Sequence, residues 1–418
     1  MAAWTKEQQM VLHLAERGLS AYSATPVYEE EELKSLDWEA VYQESVDQTV
    51  SLLCFDSVAV YKNYVPQAIY AKWKNTAIAQ MQTALRLSQV QAELCALLKE
   101  YKYAYVILKG TSAAEYYPNP NLRILGDIDF YIEKDKCAEI EKLLEENGYV
   151  NQRESHVYHV NFKKDNVTVE MHFDLPGMPD GTLGQRTRAF CEPIFETCVV
   201  RENELFTAKT PNDLYHGVII LLHALSHQTG YGVGLRHLCD WAAYVQKTQK
   251  EGYWQEALLP LFKEIGVYRY ACALTKMCAV YLGIGCPDWA QEAPLKLCER
   301  LLIDMFTAGN FGKKDKAYSK SAQLIENKDG KRRGPFATLM HSLHVSIVWR
   351  YPIVKKVWII YPFIFVWKVI KNLFLMCIGK RAPLSKTLPE AKKRKQIYEQ
   401  LKIFEPQGEE KQKNGNEN

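Results

Sequence analysis

The sequence predicts an α+β fold: a small mixed sheet with its own helices, set between N- and C-terminal helical regions. Three patterns predict it. Residues 125–132 alternate apolar and polar with period two, the mark of a half-buried strand. Residues 157–162 and 167–173 alternate in the same way on either side of the polar tetrapeptide 163–166, which reads as a hairpin. Long stretches before residue 100 and after residue 210 instead repeat apolar residues at three- and four-residue spacing, the helical period. The expected divisions are a helical N-terminal region at 1–100, an α/β core at 101–205 and a helical domain at 206–344. An aromatic and basic segment at 345–381 and a charged, partly disordered tail at 382–418 follow.

Length and composition set the frame. The 418 residues allow two or three domains, and 24% charged with 47% hydrophobic residues is ordinary for a globular protein. A net charge of +3 argues neither for nor against nucleic acid. Eleven cysteines without a C-x-x-C pair fit reduced thiols better than a disulfide framework. The first nine residues lack the apolar run of a signal peptide, so a cytoplasmic location is expected.

Taken in order, residues 9–19 and 38–55 read as helices, the second capped by Asp37. After Pro66, residues 68–100 run without glycine or proline, with Ile78, Met81, Leu85, Leu87, Leu94, Leu97 and Leu98 as the apolar face of one long helix. Residues 103–108 form an aromatic and β-branched strand ending at Lys109-Gly110-Thr111-Ser112, with a short helix over 113–117 beyond it. Strand, glycine, two hydroxyls and a helix start is a geometry that offers free backbone N–H groups to a phosphate. In the next strand Asp127 and Asp129 share a face about 7 Å apart at Cα. Two such carboxylates repel unless a cation lies between them, and a divalent metal is the usual answer. The plain alternative is a solvated strand face, although aspartate is depleted in strands. Residues 134–146 read as a charged helix closed by Asn147-Gly148. In the second hairpin strand Thr168, Glu170, His172 and Asp174 face away from the core, which makes Glu170 a candidate third carboxylate.

The run Leu108-Lys109-Gly110, then Arg123, then Gly126-Asp127-Ile128-Asp129, then Val169-Glu170-Met171-His172 resembles the bacterial uncharacterised nucleotidyltransferase family of the DNA polymerase β-like nucleotidyltransferase superfamily. The motifs span roughly residues 100–175 and depart in one place, since Thr111 separates Gly110 from Ser112. The resemblance implies a polymerase-β-type core and transfer of a nucleotidyl group from a nucleoside triphosphate, ATP first, to an acceptor hydroxyl. It implies that Asp127 and Asp129 hold two Mg²⁺ ions, with Mn²⁺ as a substitute, and that Glu170 completes the second metal site and helps activate the acceptor. Gly110, Thr111 and Ser112 would cradle the β- and γ-phosphates with Lys109 and Arg123 as counter-charges, and His172 would support the metal-holding carboxylates from behind. The acceptor stays open among small molecule, saccharide, peptide and protein; the lack of a broad basic face places long nucleic acid last. A rival of a different class is a non-catalytic protein that keeps the fold for nucleotide sensing or as a membrane-tethered scaffold.

Beyond the core, Thr210-Pro211 reads as the cap and first position of a helix that carries His216, His223 and His227 on one side. His223 and His227 have metal-compatible spacing. Without an acidic partner or an H-E-x-x-H pattern they read as polar-face histidines, one of them approaching the nucleotide. Arg236 and Asp240 are spaced as an i,i+4 ion pair in the less favoured orientation. Helical pattern continues over 254–283 and 294–307; the polar stretch 313–334, with a basic triplet at 331–333, reads as a mobile surface loop. Residues 345–381 hold eight aromatic and seven basic residues and no acid. The segment is too short in its uncharged run to span a bilayer. It would either lie peripherally on a membrane interface or form a last helix pair covering the core.

Overall fold

The computed structural model describes residues 4–20, 28–153, 158–202, 207–315, 318, 321, 325, 334–351, 353–378 and 384–407. Val157 and the basic triplet 331–333 therefore lie outside the described residues. Helix α1 (Lys6–Leu19) opens with a reciprocal cap between Thr5 and Gln8, and the short α2 (Glu30–Ser35) follows. The single helix expected over 38–55 is two, α3 (Trp38–Asp47) and α4 (Ser51–Val58). Thr49 between them takes φ 58°, a left-handed conformation that no right-handed helix carries through.

Helix α5 (Gln67–Glu100) is one unbroken rod of 34 residues, as its lack of helix breakers predicts. Its buried face differs from the expected one: Ile78, Met81 and Leu85 are exposed, while Trp73, Ala77, Ala84, Leu87, Val90, Leu94 and Leu98 are buried. Small alanines mark the middle of the rod because it passes from one core to another there. Trp73 belongs to the large helical core, and the stretch from Ala84 to Leu98 packs on the sheet.

The main sheet contains β1 (Tyr105–Ile107), β2 (Asp127–Ile132), β3 (Val150–Asn151), β4 (His159–Lys164) and β5 (Val167–His172), in the order β1-β2-β5-β4-β3. Strands β2 and β5 run parallel, and every other neighbouring pair is antiparallel. The sheet is thus small and mixed. Its hairpin turn is tighter than the tetrapeptide expected, because β4 continues to Lys164 and only Asp165 and Asn166 turn. Both have positive φ (49° and 64°), the conformation of a two-residue hairpin turn that matches strand twist. One sheet face is apolar: Ile128, Phe130 and Ile132 of β2, Phe162 of β4 and Val169 and Met171 of β5 pack against α5 and against Ile140 and Leu144 of α7 (Cys137–Glu146). The other face carries Asp127, Asp129, Glu170 and His172.

That second face looks onto helices. Between β1 and β2 lies α6 (Thr111–Ala114); after β5 come α8 (Gly181–Cys191) and a separate ribbon of β6 (Val199–Glu202) and β7 (Thr207–Thr210), which sequence periodicity missed. Thr210 ends β7 instead of capping a helix. The cap of α9 (Asp213–Thr229) is Asn212, whose side chain accepts from the Tyr215 N–H. Helices α10 (Leu235–Thr248), α11 (Leu259–Glu264), α12 (Tyr268–Tyr281), α13 (Asp288–Gln291) and α14 (Leu295–Ala308) then pack with α1, α3 and α4 around one large core. The N-terminal helices share that core with the helices after residue 210, so the α/β unit is clasped between them.

Helices α15 (Pro335–Arg350), α16 (Ile353–Lys356) and α17 (Tyr361–Cys377) form the aromatic segment, and α18 (Leu384–Leu401) the charged one. The charged stretch is helical to near Phe404, and α18 docks through Arg394, Ile397, Tyr398 and Leu401, all buried, with Phe404 following into the same core. No described helix is long and apolar enough to cross a membrane.

Candidate active site

The parallel register of β2 and β5 sets Asp129 directly beside Glu170 and Asp127 beside Thr168. With side chains alternating, Asp127, Asp129 and Glu170 project on one face, and each can offer an oxygen within 4.8 Å of the other two. Leu108 extends the β1 pairing by donating its N–H to the Asp129 carbonyl at 2.9 Å. This carries Lys109 alongside Asp129, where its Nζ stands 2.7 Å from Oδ1. Gly110 then turns the chain with φ 64°. A Cβ there would lie 3.3 Å from the Asp127 carbonyl oxygen, so both the backbone conformation and the close approach call for glycine.

His172 reaches the same carboxylate. Its Nε2 donates to Asp129 Oδ1 at 2.9 Å and stands 3.4 Å from Glu170 Oε2. Lys109 and His172 both address Oδ1, and among the described residues no hydrogen bond reaches Asp129 Oδ2. Burial alone would raise the Asp129 carboxyl, but Lys109 and His172 outweigh it and hold the group well below the usual carboxylate range. Asp127 lacks such partners. Burial, then the Asp129 charge, pushes its carboxyl up to about 6. For Lys109 burial disfavours the charge, but Asp129, Asp127 and Glu170 overcome it and raise the ammonium. His172 is raised too, its hydrogen bonds to Asp129 and Glu170 prevailing over burial.

A cavity of about 560 Å³ opens between this wall and the helices, with Lys109, Gly110, Arg123, Asp127, Asp129, Glu170 and His172 on one side and His223, His227 and Arg236 on the other. Its size suits a small organic molecule. Lys109 Nζ also meets His223 Nε2 at 3.2 Å, and His223 Nε2 meets His227 Nε2 at 2.9 Å. An ammonium can only donate, so His223 Nε2 is an acceptor and His227 Nε2 carries the proton between the two rings. His237 completes the cluster, its ring centroid 5.2 Å from His223 and 4.8 Å from His227. Burial drives all three imidazoles toward the neutral form, His227 to about 3, and the nearby Lys109 acts in the same direction.

The remaining sequence candidates are placed differently from expectation. Thr111 and Ser112 are buried beneath the cavity and are absent from its lining. The Thr111 hydroxyl donates to Gln91 Oε1 of α5 at 2.8 Å, and Ser112 Oγ lies 3.4 Å from His216 Nε2. Both are occupied in docking α6 to its neighbours, and neither hydroxyl faces the cavity. Arg123 borders the cavity but is committed elsewhere: its Nε and Nη2 donate to the two oxygens of Asp240 at 2.7 and 2.8 Å, and Tyr117 adds a third bond at 2.7 Å. Asp240 is therefore not the partner of Arg236 one helical turn before it, because a bidentate guanidinium from the α/β unit occupies both of its oxygens. Sequence reasoning missed His237 as part of the cluster and Arg236 as a free cavity residue. The only local signal was the unfavourable order of the Arg236–Asp240 pair.

The family described as uncharacterised nucleotidyltransferase matches residues 34–283. The match covers more than half of the chain, and the protein belongs to that family. The match includes the strands that carry the carboxylates and helices α9 and α10 opposite them, and membership points to a transferase class that acts on nucleotides. No curated protein and no solved structure matches the chain.

Proposed function

We propose that the protein is a metal-dependent nucleotidyltransferase that moves a nucleoside monophosphate group from a triphosphate, ATP first, to an acceptor hydroxyl. The observation that supports this most is the convergence of Asp127, Asp129 and Glu170 from neighbouring parallel strands at a cavity of small-molecule size. An all-oxygen donor set suits Mg²⁺ or Mn²⁺, and the Asp127 carboxyl, raised by burial and then by the Asp129 charge, is one that a cation would hold ionised. Such ions supply charge stabilisation at the reacting phosphorus. Lys109 and His172 fix Asp129 through Oδ1, leaving Oδ2 to face a cation. Glu170, more exposed than Asp129, is set to take the proton of the acceptor hydroxyl as its oxygen bonds to the α-phosphorus and pyrophosphate departs.

The test is incubation with labelled triphosphates, Mg²⁺ or Mn²⁺ and a cell extract, followed by identification of what becomes labelled. Labelling should vanish in Asp127→Asn. Tight metal-triphosphate binding with no transfer to any acceptor would favour the non-catalytic sensor or scaffold instead.

We further propose that α17 rests on an anionic membrane surface. Phe363, Val366, Trp367, Ile370 and Phe374 are all exposed at helical spacing along one stripe, with Ile378 continuing it. A core-covering helix would bury them. Lys371 is exposed nearby, and each basic residue close to such a surface contributes on the order of 1 kcal/mol at low salt. Co-sedimentation with anionic but not neutral vesicles, weakening as salt rises, is the expected result. Protein that stays in the supernatant with anionic vesicles at low salt removes the membrane contact.

A further inference from the structure

Arg236 is a guanidinium on the cavity wall that no side-chain hydrogen bond or ion pair among the described residues holds, the Asp240 and Asp127 carboxylates acting on it only through space. It follows the first residue of α10 and lines the cavity. It makes no side-chain hydrogen bond or ion pair there, and its Nε is sealed from solvent without a partner. Its nearest aromatic contact is the Phe311 ring, 6.0 Å away. The acid one turn along, Asp240, is saturated by Arg123 and Tyr117. A buried cation without a directly bonded partner is costly, and burial together with the Arg123 charge lowers even this guanidinium, the Asp240 and Asp127 charges offsetting them only in part. A fold that keeps such a group beside a cavity is incomplete without an anion in it.

The groups nearby point the same way. Lys109 offers ammonium donors, while the His227 Nε2 proton is held between the two rings. Lys109 reaches from Asp129 on the strand wall to His223 on the helix wall, so its ammonium stands between the carboxylates and the side of the cavity that holds Arg236. The three imidazoles also satisfy the spacing for a metal ion, since Zn–N bonds of about 2.0–2.1 Å place ligand nitrogens roughly 3.4 Å apart. The charges argue against that occupant. The His223 Nε2 lone pair already accepts from Lys109, and neutral rings bring no negative charge to offset Lys109 and Arg236.

We infer that Arg236, with Lys109 facing it from the strand wall, forms a polyphosphate seat in the cavity, which receives the pyrophosphate end of the nucleotide donor. The role as donor subsite rests on the nucleotidyl-transfer reading; the anion site itself does not. It moves phosphate recognition from the Thr111 and Ser112 hydroxyls, which face inward, to Lys109 and to a residue more than a hundred positions later in the chain.

The experiment is calorimetric titration of the full chain with inorganic pyrophosphate and with tripolyphosphate in the presence of a chelator, for the parent, Arg236→Ala and Arg236→Lys. Metal-free binding by the parent is expected, weakened roughly tenfold to a hundredfold in Arg236→Ala, the range for losing a charged hydrogen-bonding group. Arg236→Lys should recover only part of it, because lysine lacks the planar fork. The melting temperature of Arg236→Ala should hold or rise, since an unpaired charge is removed. Parental pyrophosphate affinity in Arg236→Ala overturns the seat, as does a parent that binds no polyphosphate. A Zn²⁺-induced rise in melting temperature, equal in parent and Arg236→Ala and without any polyphosphate binding, would assign the cluster to a metal. If Arg236-dependent pyrophosphate binding is found but no triphosphate supports transfer under any condition, the anion site stands and the transferase reading fails.

Discussion

On the strand side of the cavity Asp129 is buried yet fully answered, with Lys109 at 2.7 Å and His172 at 2.9 Å on the same oxygen. On the helix side Arg236 is lodged against Phe311 with its Nε answered by nothing. Asp129 is compensated from within; Arg236 waits for a visitor. The difference follows from how each wall is built. Neighbouring strands in register bring side chains from β1, β2 and β5 together by local rules of pairing, so counter-charges arrive with the charges. The helix wall is assembled from separate turns of α9 and α10, where a cross-chain partner, Arg123, has taken the acid that local spacing offered to Arg236.

The largest expected effect that sharpens this contrast lies at the chemistry. Glu170→Gln should lower nucleotidyl turnover by orders of magnitude while triphosphate affinity changes little, because Glu170 serves the acceptor side and Asp127 and Asp129 the donor side. Steady-state kinetics with the acceptor found by labelling reads both quantities, and parental turnover would remove Glu170 from the reaction.

A smaller effect separates the two aspartates without any substrate. Asp129→Asn strips Lys109 and His172 of their shared partner and should destabilise the protein by about 3–5 kcal/mol, the scale for breaking a buried pair. Asp127→Asn relieves burial and the repulsion from Asp129, and gives up only the unbonded attraction to Lys109 and Arg236, so it should cost far less stability. Denaturant unfolding of the metal-free proteins compares them, and equal losses would break the distinction between a compensated and an uncompensated carboxylate.

The smallest effect is in pH. His216 and His227 are each lowered to about 3 in the folded protein, chiefly by burial, against an ordinary value near 6.5. A folded pKa below the unfolded one means the unfolded chain binds the extra proton. The stability from each is therefore complete above pH 6.5 and is lost as pH falls from there toward 3. Each group contributes a slope of up to about 1.4 kcal/mol per pH unit in that window. His172, raised by its carboxylate partners, has the opposite sign: its contribution is present below about 6.5 and lost as pH rises through its folded value. His227→Gln should flatten the acid limb of a stability–pH curve; an unchanged limb would mean that His227 is not held neutral.

The strand wall was legible in the sequence because its rule is local. Period-two alternation selected Asp127, Asp129, Glu170 and His172, whereas Lys109 entered only through the family resemblance, as a phosphate counter-charge. The parallel pairing of β2 with β5, which puts Glu170 beside Asp129, is a long-range fact, yet the alternation within each strand was enough to name the right face. The helix wall was hidden for the converse reason. Arg123 and Asp240 meet across 117 positions, and nothing near either residue announces it. The inward turn of Thr111 and Ser112 depends on where α5 and α9 lie, which the run of strand, glycine and hydroxyls does not encode. The exposed middle of α5 escaped for a similar reason, since periodicity shows which face is apolar and not where one core ends and the next begins.

The docking of α18 bears on where this protein could be cut. Arg394, fully buried, donates to the Gln228 carbonyl at 2.6 Å and stands 3.2 Å from Asp304, and Tyr398 bonds that same carbonyl. Gln228 follows His227 directly in α9. The last described helix thus braces, from about 170 positions away, the turn that presents an imidazole to the cavity. A fragment trimmed to the family-matched stretch would keep the carboxylates and the histidine cluster of the cavity but lose Phe311 from its lining and the strut behind His227, along with α1 and α14 from the shared core. Its expected fate is insolubility, and its silence in an assay would say nothing about the chemistry.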